Sequence, residues 1–168
     1  MNASISVVLV NYNAGSHLRA CVDSILSSLT HPEIIIIDNA STDNSLFLLK
    51  DISGLHNIHN TQNYGFSTAC NQGIAIATCP NILFLNPDCI LASDTITKLL
   101  LHLTDGVRAG MVGGLLTNLD GSEQQGGRRA IPTPWRSFVR ASGLHHLAKY
   151  WPDLFFDFHL HKQPLPTQ

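Results

Sequence analysis

The sequence predicts an α/β fold with a mostly parallel central sheet flanked by helices, and three apolar runs carry that prediction: Ile5 to Val10, Glu33 to Asp38 and Ile82 to Leu85. None of the three alternates polar with apolar residues, so each reads as a strand buried on both faces, the habit of parallel strands covered by helices. Each also gives way to polar residues at its end, and open α/β sheets hold ligands outside the carboxyl ends of their strands. The stretches between them carry helical spacing, which makes parallel βαβ connections the economical reading.

Composition bounds the rest. The chain has 168 residues, 44% of them hydrophobic and 13% charged, enough to bury a core and too apolar for disorder. A formal net charge of -2 argues against a nucleic-acid binder. No apolar run approaches the ~18 residues that a membrane helix needs. Met1 to Ile5 lacks the basic start and apolar run of a signal peptide, and Cys21, Cys70, Cys79 and Cys89 show no CxxC spacing, so the expected setting is a reducing cytoplasm with four idle or buried thiols.

In chain order, Ile5 to Val10 runs into a polar turn, Asn11 to Gly15, and then into a helix with Leu18, Val22, Ile25, Leu26 and Leu29 on one face. His31-Pro32 breaks that helix, and the strand that follows ends on Asp38, a carboxylate placed to accept hydrogen bonds from a base or a ribose hydroxyl. Ser41 or Asp43 is suited to cap a next helix bearing Leu46 and Leu49. Asn57 to Asn60 reads as a short strand. Gly65 opens a helix that packs Ala69, Ile74 and Ala77 on the sheet, with Asn63 and Asn71 eight residues apart around its start.

Ile82 to Leu85 reads as the central strand, stopped by Pro87, so Asn86 and Asp88 sit just past its carboxyl end. Ser93 is suited to cap a helix with Ile96, Leu99, Leu100 and Leu103. Met111 to Leu116 reads as a further strand, Asn118 to Gly121 as a tight turn, and Trp135 to Tyr150 as a helix. The basic cluster Arg128, Arg129, Arg136 and Arg140 reads as a solvated face, or as an acceptor-side contact with phosphate or with an anionic membrane surface. His159 and His161 lack a third metal ligand nearby, and Trp151 to Gln168 reads as a loosely ordered tail.

VVLVNYN, IIIIDNASTDNS, NYGFSTACNQG and FLNPD, in this order and spacing, resemble the donor-binding half of family 2 glycosyltransferases of the GT-A fold, in the rhamnosyltransferase-like branch. The resemblance spans roughly residues 4 to 135. It implies a nucleotide-sugar-binding domain over 1–135, a helical segment and tail over 136–168, and a fold truncated at the acceptor side. Asn11, Tyr12 and Asn13 resemble the segment bordering the base, with Asp38 and Asn39 closing the base and ribose pocket. Many relatives carry two acids at that second site; here Asn39 stands in place of one.

Asn63, Gly65, Phe66 and Asn71 resemble the part shaping the ribose and diphosphate side. Asn86-Pro87-Asp88 resembles this branch's DXD motif, which makes Asp88 the ligand of a divalent magnesium or manganese ion on the diphosphate. The implied activity is inverting transfer of a sugar from a nucleoside diphosphate, of uridine or thymidine, to a saccharide or lipid-linked acceptor in cell-surface polysaccharide synthesis. Peripheral membrane contact and a homodimer are expected with it. No pattern after Arg140 marks a general base, and neither Asp153 nor Asp157 is assigned that role. The alternative is a nucleotide-sugar binding module or inactive remnant. A nucleotidyltransferase fits poorly, because no glycine-rich basic loop lies near the amino terminus.

Overall fold

The computed structural model describes residues 5–104, 109–118, 120–125, 127–128, 131 and 133–156. The chain forms two compact units, Met1–Val112 and Gly113–Gln168. That division follows contacts, whereas the one drawn after residue 135 follows the extent of the sequence motifs.

The first unit is built on a four-stranded parallel sheet of β1 (Ile5–Asn11), β2 (Glu33–Asp38), β3 (Leu55–His59) and β4 (Asn81–Leu85), in the order β3-β2-β1-β4. Every residue of β1 is buried, and so is every residue of β2 after Glu33. Successive side chains point to opposite faces, so the apolar runs serve two cores at once. On one face Val7, Leu9, Ile34 and Ile36 meet Leu18, Cys21, Val22 and Ile25 of α1 (Ser16–Leu26) and Ile96 of α3 (Thr95–Thr104). On the other, Val8, Val10, Ile35 and Ile37 meet Ala69 and Cys70 of α2 (Phe66–Ile76). The result is a helix, sheet, helix sandwich, the α/β class expected.

Several expectations are corrected. β4 is not central: among the described residues it pairs with β1 alone, and Phe84 is 45% exposed. An apolar run says that both faces want cover, but nothing about how many neighbours the strand has. Leu29 lies beyond α1 and is 71% exposed, because Ser27 turns its backbone N–H and hydroxyl onto the Asp23 carbonyl and closes the helix. Leu46 and Leu49 pack against the core as expected, but on a single 3₁₀ turn, Phe47–Leu49, with no side-chain cap. Ile74 is exposed on the outer face of α2. Ser93 does not cap α3; its carbonyl accepts from the Leu29 N–H.

Met111 to Leu116, which runs from the end of the first unit into the second, forms no strand, and Gly113-Gly114 explains why, since glycine forfeits both packing and order in a strand. The expected turn is present: Gly121, at φ +81°, donates its N–H to the Asn118 carbonyl beneath an isolated antiparallel bridge between Thr117 and Glu123. The helix expected over 135–150 is broken into α4 (Pro134–Ala141) and a 3₁₀ stretch (Leu144–Lys149), and a further helical turn, α5 (Pro152–Phe155), forms where a loosely ordered tail was expected. The break is at Gly143, whose φ of +76° ends a helix. Trp135 ties two of the pieces by donating Nε1–H to the Leu154 carbonyl at 2.7 Å.

Candidate functional site

The strand ends define the site. β1 pairs with β2 and β4 in parallel, with Asn11 opposite Asp38 and Leu9 opposite Leu85, so the residues that follow all three strands emerge at one edge of the sheet. The chain moves outward from β1 to β3 and then returns to β1's other side as β4. That reversal opens the crevice in which doubly wound sheets bind ligands.

The loops after β1 and β2 are laced together. Asn11 is buried, and its Nδ2 donates toward Asp38 Oδ1 (2.7 Å), Ser45 Oγ (2.8 Å) and Ser41 Oγ (3.0 Å). Asp38 is 5% exposed, and its carboxylate also accepts from the Ser41 hydroxyl and backbone N–H. Asn13 takes the left-handed conformation, φ +54°, from which its Oδ1 accepts the N–H of Thr42 (2.8 Å) and of Asp43 (3.2 Å). Asp43 returns the tie by accepting the Gly15 N–H at 2.8 Å. The Ser45 hydroxyl above all, helped by the backbone N–H groups of Ser45 and Gly15, holds the Asp43 carboxyl below the usual aspartate range against an opposing effect of burial. Ser41 and Asp43 therefore join loops rather than cap a helix. A loop pinned this way keeps one shape before any ligand arrives.

The residues read from the sequence divide in two. Asn11, Asp38 and Asn39 are buried and bonded within the chain, whereas Tyr12, Asn13, Asn63, Gly65, Phe66, Asn71, Asn86 and Asp88 are exposed. Tyr12 and Phe66 show more than half of their surface. Gly65, at φ +84°, precedes α2 and donates its N–H to Asn63 Oδ1 at 2.9 Å. The turn after β4 closes on a bond from the Cys89 N–H to the Asn86 carbonyl and leaves the Asp88 carboxylate outside.

Sequence reasoning missed what supports these groups. Buried Cys21 of α1 directs its thiol to the Asn86 carbonyl at 3.6 Å and so seats the turn that carries Asp88. Burial first, and then the proximity of Cys89 and Asp88, pushes that thiol up to about 12, which keeps it protonated and inert. Asn60 and Gln72, a reciprocal amide pair, bond on to Asn39. Only a polar residue directly after a strand hinted at Asn60. Of the basic cluster, Arg128 is engaged with Glu123 through two bonds of 2.7 and 2.8 Å, and Arg136 donates to the Ile131 carbonyl. Asp153 lies in the first turn of α5. Arg129, Asp157, His159 and His161 fall outside the described residues.

The donor chemistry for a metal is modest. Among the described residues no three His, Cys, Asp or Glu side chains come together as a metal cluster. Asp88 and the Asn86 amide fit a hard cation only if it brings other oxygen ligands with it, as magnesium does when held by one or two carboxylates plus phosphate. No helix of the described residues is long and apolar enough to cross a membrane.

Comparison with known proteins extends this picture. The family model for glycosyl transferase family 2 matches residues 6–161. An O-antigen chain rhamnosyltransferase (RfbN) of Salmonella typhimurium is 31% identical over 121 residues, 69% of this chain and 38% of that protein. A glycosyltransferase (GlyG) of Streptococcus pneumoniae is 34% identical over 105 residues, 59% of this chain and 35% of that protein. The chain thus spans little more than a third of the length of these relatives. Among solved structures, a mannosyltransferase from Pyrobaculum calidifontis in complex with GDP-Man and Mn2+ superposes with a TM-score of 0.59 at 21% identity, over 63% of this chain and 34% of that one. TarS of S. aureus in complex with UDP-GlcNAc gives 0.55 at 18% identity, over 61% and 31%. By sequence the chain belongs to glycosyl transferase family 2, and its first unit carries the GT-A type of α/β fold.

Proposed function

We propose that the chain binds a nucleoside-diphosphate sugar across the carboxyl ends of β1, β2 and β4 and serves transfer of that sugar to a saccharide or lipid-linked acceptor in cell-surface polysaccharide synthesis. The observation that carries this reading is the convergence of pinned polar loops and the exposed Asp88 turn on one crevice of the sheet. The name of the Salmonella relative, an O-antigen chain rhamnosyltransferase, supports the polysaccharide setting. Tyr12, exposed at the end of β1, offers a ring face to the base, while buried Asp38 and Asn39 hold the floor of the base and ribose pocket. Asn63, Gly65, Phe66 and Asn71 border the ribose and diphosphate.

Asp88, with phosphate oxygens of the donor, would hold a magnesium or manganese ion that offsets the charge developing on the leaving diphosphate. The acceptor hydroxyl attacks the anomeric carbon in line, and the configuration inverts. A homodimer belongs to the same proposal and rests on the place of β4 as the last strand on its side of the sheet among the described residues.

A second reading, a nucleotide-sugar binding module, is favoured by one feature. Of the carboxylates in the strand-end loops, buried Asp38 and exposed Asp43 are both committed to hydrogen bonds with backbone N–H and hydroxyl groups of the chain, whereas exposed Asp88 accepts, among the described residues, only a long contact from the Cys89 thiol. Titration calorimetry of the 168-residue chain with UDP and dTDP, with and without magnesium, tests the shared part. Binding tightened by magnesium is expected, and Asp88→Ala is expected to remove the magnesium dependence. Unchanged affinity in that variant would sink the role of Asp88. Product formation from labelled nucleotide sugars over an acceptor panel separates the two readings, because the module binds without turnover.

A further inference from the structure

A cleft of ≈340 Å³ beside the carboxyl end of β3 is lined by His59, Asn60, Thr61, Tyr64, Thr68 and Gln72, and its wall is a directional chain of amides. Asn60 Nδ2 donates to Gln72 Oε1 (2.8 Å) and to Asn39 Oδ1 (2.8 Å), while Gln72 Nε2 donates back to Asn60 Oδ1 (2.9 Å). Both N–H groups of the Asn60 side-chain amide and its oxygen are thereby engaged. Because Asn39 Oδ1 must face Asn60, Asn39 Nδ2 is left facing the Gly65 carbonyl, to which it donates at 3.3 Å. That carbonyl also accepts the Ala69 N–H of the first turn of α2.

We propose that Asn60 is a positioning residue that sets nucleotide affinity by fixing which way the Asn39 amide faces, and through it the seat of Gly65 at the start of α2, with Gln72 only completing the bonding of Asn60. The inference rests on the donor-site reading above, since Asn63, Gly65 and Phe66 border the diphosphate side in that reading. It also accounts for the amide at position 39. An aspartate there could accept from Asn60 but could not donate to Gly65, so the α2 start would lose its tie to β2. Polarity travels along the chain of bonds: a carboxylate at position 60 cannot donate to Asn39, so Asn39 must turn over to donate to it. Its oxygen then opposes the Gly65 carbonyl.

The test is a thermodynamic cycle read as affinity for UDP and dTDP with magnesium, measured well below the melting temperature of every variant. Asn60→Asp is expected to weaken binding about tenfold, the order that an opposed, unpaired polar group costs in an equilibrium. In an Asn39→Ala background the same change is expected to weaken it by less than about twofold, because the coupling runs through Asn39. Gln72→Met, which removes a partner without imposing an opposing oxygen on Asn39, is expected to stay within about threefold of the parent.

A merely structural role predicts a lower melting temperature in Asn60→Asp with affinity unchanged. Direct repulsion of the diphosphate predicts the full loss in both backgrounds. Either result overturns the proposal. Should Asn39→Ala fail to fold, Asn39→Asp takes its place, and parental affinity there overturns it as well. A parent chain that binds neither nucleotide would refute the donor reading along with this one, whereas binding indifferent to Asn60→Asp refutes this one alone.

Discussion

At the scale of single residues, Gly73 marks the closest approach of α2 to the sheet. A Cβ at that position would lie 2.4 Å from Cγ1 and 3.1 Å from Cγ2 of Val8. Val8 is buried and β-branched, with little freedom to turn aside. Gly73→Ala is therefore expected to destabilise the fold by about 1–3 kcal/mol through overpacking. Urea unfolding measures it, and Val8→Ala in the same chain is expected to recover part of the loss as a coupling between the two sites. The sequence marks Gly73 only as one more residue of a helix, because a close approach between elements far apart in the chain leaves no local signal. Asp38 illustrates the same limit. Its place at the end of an apolar run was legible, but its engagement with Asn11 and Ser41 depends on a loop that the sequence reads as a helix cap.

At the scale of elements, α1 and the turn after β4 meet through the thiol of Cys21. Its folded value, raised from 9.0 to about 12, lies above the unfolded one. The unfolded chain thus gives up this proton first as pH rises, and stability that is fully present below pH 9 is lost between 9 and about 12. Thermal melts across that window are expected to fall less steeply for Cys21→Ala than for the parent. An equal slope would count against a buried, protonated thiol. β1 and β2 were legible almost to the residue because an unbroken apolar run ended by Asn11 or Asp38 leaves few alternatives. β4 was legible as a strand but not as an edge, since neighbours are a property of topology. The break at Gly143 could have been seen, as glycine two residues after a helical face is a stop signal, and Leu144, Leu147 and Ala148 at helical spacing beyond it obscured the point.

At the scale of the molecule, the proposed homodimer follows from the sheet's unequal sides. β4 is the last strand on its side among the described residues, with Phe84 partly exposed on it, and edge strands recruit other chains. Light scattering at rising concentration is expected to show a dimer, and a monomer throughout would remove the edge from the proposal. The order β3-β2-β1-β4 also has a temporal meaning. β1 precedes the other three strands in the chain and lies inside the sheet, so it must keep two faces and two edges available while they are made. Its β2 edge can close early, but the other edge pairs Ile5 with Asn81, and the intervening loop must be gathered before that contact repays the cost. Until then Val7 to Val10 and the Ile34 to Ile37 run belong to an apolar ribbon without its last neighbour, a state exposed to pairing with a copy of itself.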